Sequence, residues 1–287
     1  MTIKNIIAAA VLCASLPMSA QINWSANPVG AVFARQGGQS PEGTFRLTSG
    51  GIEVYTLVGS ETPDVARPAS LFYGADNADK ARVDALAPAG TVPSAMNCFL
   101  LRVDGQWVMV DVGMPEGRGN TLRRLNALGV SPAEIKAIFI THAHGDHVGG
   151  LTDASGACTY PNARLYIPAA EVPFMESSMA EGWKNIREAY ADRLTLIEQG
   201  TVQSFGFLPI AAPGHTPGHT VYRLGNLLFA GDILHGAAVQ LVDPAICASF
   251  DADRAQSILS RGTILDYAVA NSLTVLGAHV PLNGVLF

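Results

Sequence analysis

Residues 141–150 read T-H-A-H-G-D-H-V-G-G. Four side chains able to bind a divalent ion, His142, His144, Asp146 and His147, fall within six residues. The apolar A-I-F-I at 137–140 reads as a short buried strand, and residues 147–151 can open a helix. A strand running into a tight loop aims alternate side chains at one point, so His142 and His144 can share one ion. The turn that follows can swing Asp146 and His147 toward a second. Imidazole and carboxylate ligands suit zinc and similar divalent ions. The whole chain has seven histidines, three of them here, which makes a chance polar loop a poor account.

With 287 residues, 48% of them hydrophobic and 15% charged, the chain can bury a large core and is not a disordered polypeptide. The net charge of −6 argues against a general nucleic-acid binder. An anionic substrate stays open, because a bound metal makes its own positive field. Residues 1–20 read as a targeting segment: Lys4 at the start, an apolar stretch at 6–16, and small residues before Gln21. The apolar stretch is short for a membrane span, so no stable insertion is expected once it is cleaved. The expected destination is the periplasm or the outside of the cell; an uncleaved N-terminal anchor is the alternative. Cys98, Cys158 and Cys247 remain beyond that segment, an odd number with no zinc-knuckle spacing and no pairing that the sequence fixes.

Residues 21–95 read as an N-terminal arm and insert packed on a core at 96–287. The arm is followed by strands at 44–48 and 52–58, then by an insert with a helix near 76–86. Leu71, Phe72 and Tyr73 of that insert either cover a pocket or pack on the domain edge. In the core, Asp104-Gly105 between apolar runs marks a hairpin with a type I′ turn. Asn120 is placed to cap a helix that Gly129 stops. Further helices are expected near 169–179 and 255–270, with strands at 165–167, 194–197, 209–212, 221–224, 227–230 and 273–276. Two runs of strands with interspersed helices fit two packed sheets with helices outside.

Later in the chain, residues 213–220 read P-G-H-T-P-G-H-T, where either His215 or His219 can serve as a ligand. Residues 229–232 read F-A-G-D, a strand end that brings Asp232 to the same edge. His279 follows the last strand.

These stretches together resemble the His-x-His-x-Asp-His signature of the metallo-β-lactamase-fold hydrolases. The particular run at 231–240, G-D-I-L-H-G-A-A-V-Q, is most similar to the methyl parathion hydrolase and lactonase-like branch. The resemblance implies an α/β fold, an αββα sandwich of two mixed sheets with outer helices. It implies two divalent ions per chain, zinc foremost. His142, His144 and His215 would bind one; Asp146, His147 and His279 the other; Asp232 would bridge them. His219 is then structural, and Asp111, in an early Asp-x-Gly, either orients a ligand or is a strand-end turn residue. Asp146 and His235 are the candidate catalytic groups. At its offset His235 faces substrate in lactonase-like relatives, and the alternative is a packed histidine. Two ions lower the pKa of a shared water toward neutrality and polarise a carbonyl or phosphoryl oxygen. The implied activity is hydrolysis of a small lactone or related ester, with phosphotriesters in reach. A β-lactamase, a thioester hydrolase and a non-catalytic metal-binding protein of the same fold are the alternatives. Oligomeric state is not legible.

Overall fold

A computed structural model describes residues 38–39, 43–61, 65–74, 77–281 and 283–286. The targeting segment at 1–20 and nearly all of the arm lie outside the described residues. One mixed sheet holds eight strands in the order β1 (Gly38–Gln39), β2 (Thr44–Ser49), β3 (Ile52–Val58), β6 (Asn97–Val103), β7 (Gln106–Val110), β8 (Ile135–Phe139), β9 (Arg164–Pro168) and β10 (Leu194–Ile197). It is antiparallel from β1 to β7 and parallel from β7 to β10. A second mixed sheet is ordered β11 (Leu208–Ala211), β12 (Thr220–Leu224), β13 (Leu227–Phe229) and β14 (Thr274–Leu276). Between β3 and β6 the insert forms a separate ribbon, β4 (Val65–Pro68) with β5 (Thr91–Ser94).

The period-two alternation of side chains sorts residues into layers. On β6, Phe99 and Leu101 face the second sheet and, with Phe139 of β8, pack against Phe207, Tyr222 and Phe229. Cys98 and Leu100 face the other way, toward Leu125, Met175, Trp183 and Ile186. These belong to the outer helices α2 (Thr121–Ala127), α4 (Val172–Ser178) and α5 (Ala180–Ala189). On the far side, Val221, Leu228 and Val275 pack on Ile264, Leu265 and Ala268 of the long helix α6 (Arg254–Ala270). The layers are helix, sheet, sheet, helix. Because central strands are buried on both faces, they read in sequence as continuous apolar runs rather than alternating ones.

Several expectations meet the structure closely. Asp104 and Gly105 both have positive φ, 49° and 75°, as a type I′ turn requires. The insert carries α1 (Asn77–Leu86), and Phe72 is buried with Val83, Val92 and Val239, so it packs rather than hanging over a pocket. Others need correcting. Asn120 sits at the N-cap of α2 without capping it; its amide donates to Glu61 Oε1 at 3.1 Å. The helix expected over 169–179 forms and ends at Met179 (φ −145°, ψ 43°), but a further helix that was not expected, α5, follows it. The helix after His144 is α3 (Gly145–Val148), so it opens at Gly145 and carries both Asp146 and His147. Cys98, Cys158 and Cys247 are all free thiols, and burial pushes Cys98 up to about 12. No helix among the described residues is long and apolar enough to cross a membrane.

Candidate dinuclear metal centre

The loops that leave β8, β13 and β14, and the one that enters β12, meet at one edge of the sandwich. All seven histidines of the chain converge there. His142 Nε2, His144 Nδ1 and His215 Nε2 lie 3.1, 2.8 and 3.2 Å from one another. Tetrahedral ligands at about 2.0–2.1 Å from one zinc ion stand roughly 3.3 Å apart, so the three nitrogens fit one ion. Asp146, His147 and His279 form a second group whose ligand atoms lie within 4.8 Å of one another. Asp232 stands between the groups. Its Oδ2 is 3.3 Å from His215 Nε2 and 3.0 Å from His279 Nε2, and its Oδ1 is 3.2 Å from His147 Nε2.

Hydrogen bonding on the outer side of each ring sets which nitrogen faces inward. His147 Nδ1 donates to Asp111 Oδ2 at 2.8 Å, and His279 Nδ1 donates to the Ala95 carbonyl at 2.7 Å. His215 Nδ1 donates to Asp251 Oδ1 at 2.9 Å. Thr141 gives its hydroxyl proton to Asp111 Oδ2, so it accepts from His142 Nδ1 at 3.1 Å. Each of these four rings therefore presents a bare Nε2 to the centre, the arrangement metal-binding imidazoles need. His147 Nε2 and Asp232 Oδ1 are both buried without a hydrogen-bond partner, although only 3.2 Å apart. A buried nitrogen and oxygen left this way fit metal ligands better than a packed polar core.

The electrostatics agree. Burial lowers His142 well below the usual histidine range, and burial with the neighbouring His215 lowers His144 to about 4. Burial also works against a charge on His215, yet Asp232 and Asp251 outweigh it and raise the ring to about 9. His147 is raised for the same reason, by Asp232, Asp146 and Asp111. Burial pushes Asp232 up, but His147, His279 and His142 hold it well below the carboxylate range. A carboxylate field that draws protons onto His215 and His147 serves a divalent cation equally, and a cation binding there displaces those protons.

His219 is set apart from this group. Its Nδ1 donates to the Ala212 carbonyl at 3.1 Å and its Nε2 accepts the Asp232 N–H at 2.9 Å, so neither nitrogen is left for a metal. Gly231 makes this possible: φ is +50°, and a Cβ there would sit 2.6 Å from His219 Nε2. His235 is fully buried. Its Nε2 donates to Asp232 Oδ2 at 3.1 Å, while its Nδ1 has no partner. Asp111 takes the orienting alternative. It has a left-handed backbone (φ 56°), and its carboxylate accepts from Thr141 N as well as from His147.

Two carboxylates went unread in the sequence. Asp251 is the partner of His215 described above. Glu171, fully buried after β9, accepts from Ala143 N at 2.9 Å, Thr216 Oγ1 at 2.9 Å and Gly218 N at 2.8 Å. It thus joins the 142–147 loop to the 213–220 loop. Burial raises Glu171, against the pull of those three donors. Gly218 is needed for the approach, since a Cβ there would meet the Glu171 backbone nitrogen at 2.3 Å. Glu171→Gln puts an amide donor against one of three donors. Zinc affinity is expected to fall by about 10–100-fold, the usual effect of losing an outer-shell partner. Competition with a chromophoric chelator measures it, and unchanged affinity would remove the loop-joining role.

The family model of the metallo-β-lactamase superfamily matches residues 92–279. Hydroxyacylglutathione hydrolase of Vibrio campbellii is 35% identical over 114 residues, 39% of this chain and 38% of the relative. The Aeromonas hydrophila protein of the same name is 31% identical over 158 residues, 52% of each. The chain therefore spans about two fifths to one half of these relatives. Among solved structures, the hydrolase AbOPH of the β-lactamase superfamily superimposes with a TM-score of 0.74 at 24% identity, covering 86% of this chain and 93% of that one. AidC, a dizinc quorum-quenching lactonase, gives 0.73 at 23% identity, covering 86% and 94%. Since the family match takes in most of the chain and every residue of the converging His and Asp cluster, this chain belongs to the metallo-β-lactamase superfamily.

Proposed function

We propose that this protein is a dinuclear metal-dependent hydrolase of lactones or related carboxylic esters, with phosphotriesters as further substrates. The observation that carries this reading is the inward convergence of bare ring nitrogens and carboxylate oxygens in two adjoining groups. His142, His144 and His215 would hold one ion, Asp146, His147 and His279 the other, with Asp232 shared. When bound, two such ions would supply an activated water near neutral pH and polarise the carbonyl or phosphoryl oxygen of the substrate.

The chain's own groups do the rest. Asp146 keeps part of its side chain exposed, 23%, and so can meet a substrate at the rim of the centre. Burial pushes its carboxyl up, but His147 and His279 outweigh that and hold it below the usual range, so it stands ionised and can accept a proton. Buried His235 donates to Asp232 and holds that carboxylate in place; its bare Nδ1 is an acceptor. Phe174 packs edge-on to His144 at 5.7 Å, and Phe250 to His235 at 4.7 Å, giving the rim apolar walls.

The test is a panel of lactones, aryl esters, phosphotriesters, thioesters and β-lactams offered to the zinc-loaded protein. The highest kcat/KM is expected on a lactone or aryl ester. Thioesters or β-lactams turned over faster would replace this reading, and no turnover at all would leave a metal-binding protein of the same fold. We also propose export to the periplasm or beyond, on the pattern of residues 1–20. The intact mass of the protein in a periplasmic extract tests this, and a full-length chain retained in the cytosol would contradict it.

A further inference from the structure

We propose that Arg67, on strand β4 of the β4–β5 ribbon and outside the matched family region, selects esters and lactones that carry a carboxylate; this rests on the hydrolase reading above. The ribbon is fastened directly to the centre. Ser94 at the end of β5 donates to the carbonyls of His235 at 3.0 Å and His279 at 3.4 Å, and the next carbonyl, of Ala95, accepts from His279 Nδ1. Arg67 on the paired strand reaches the same place, with Nη2 at 3.2 Å from His279 Nδ1.

That contact does not satisfy the guanidinium. His279 Nδ1 gives its proton to Ala95, and two donors do not bond to each other. Arg67 also lies 6.0 Å from the centroid of the Phe250 ring, a cation–π arrangement that uses a face of the group and none of its five hydrogens. The insert's other close arginine behaves differently: Arg82 pairs with Asp79 and Asp243. Among the described residues no carboxylate forms an ion pair with Arg67. A half-buried cation beside a metal-binding imidazole, with its donors unspent, is placed for an oxygen ligand from outside the chain. The planar fork matches a carboxylate in two parallel hydrogen bonds, which a lysine cannot reproduce. Exposed Phe250, against which both Arg67 and His235 pack, supplies an apolar surface for the carbon skeleton between that carboxylate and the reacting carbonyl.

The experiment compares mono-4-nitrophenyl succinate with its neutral methyl ester, using zinc-loaded protein and variants Arg67→Gln and Arg67→Lys. Bound zinc is measured on the same samples, which separates lost recognition from lost metal. The unmodified protein is expected to favour the anion by roughly tenfold in kcat/KM, the scale of a hydrogen bond to a charged group in a half-exposed site. Arg67→Gln should bring the ratio near unity, chiefly through KM, and Arg67→Lys should fall between. Equal rates on both esters in the unmodified protein, or a ratio unmoved by Arg67→Gln, would overturn the proposal. If neither ester is hydrolysed, the hydrolase reading fails by itself and succinate binding by calorimetry decides this one. Binding weakened by Arg67→Gln supports it, and binding absent or indifferent to the substitution overturns it.

Discussion

Zinc-loaded Asp146→Asn protein is expected to open a lactone about 10²–10⁴-fold more slowly than the parent, the range a positioned proton-transfer group contributes. Asp146 Oδ2 lies 3.5 Å from His279 Nε2 and 3.7 Å from His147 Nε2, so one carboxylate can bind metal and still face the rim. Asparagine keeps the shape and one ligand oxygen but cannot carry a proton. Lactone opening expels an alkoxide, which needs a proton; an activated aryl ester expels a stable phenolate, which does not. The loss should therefore be clearly smaller on 4-nitrophenyl acetate at matched zinc occupancy. Equal losses on the two substrates would reduce Asp146 to a ligand.

Asp232→Asn is expected to fail for a different reason. Around this one buried carboxylate, His235, His279, His215 and His142 stand 3.1, 3.0, 3.3 and 3.6 Å from Oδ2, and His147 stands 3.2 Å from Oδ1. An uncharged amide there leaves two cations to repel each other with less screening. Apparent zinc affinity should fall by more than the about 10–100-fold of an outer-shell change. At least one ion should be lost on dialysis, and excess zinc should restore part of the turnover. Retention of both ions through dialysis against a chelating resin would show that Asp232 does not hold the pair together.

The converging set of His and Asp side chains was legible because its members lie in short runs with local signatures. His142, His144, Asp146 and His147 fall within six residues, and His215, Asp232 and His279 lie in loops three or four residues beyond strands β11, β13 and β14. The layered fold was legible for a related reason: runs such as those of β6 and β8 are apolar at nearly every position, as strands buried on both faces must be. Glu171 and Asp251 had no such signature. Their partners are 28 to 47 and 36 residues away, so only the folded chain shows that an ordinary acidic residue joins two loops or orients a ring. Arg67 was hidden in the same way, 212 residues from His279. The missed helix α5 did leave a trace: Met179, Trp183, Ile186 and Tyr190 recur at helical spacing, with Trp183 and Ile186 buried. Asn120 shows the converse, since a residue of capping type at the right position spends its side chain on Glu61 instead.

We propose that the seven side chains act as two adjoining metal sites. Elemental analysis after gentle dialysis, with turnover followed as the metal-free protein is titrated with zinc, tests it most directly. About two ions per chain are predicted, with turnover rising until the second site fills. A reproducible single ion accompanied by full activity would contradict the two-ion account while leaving the fold untouched.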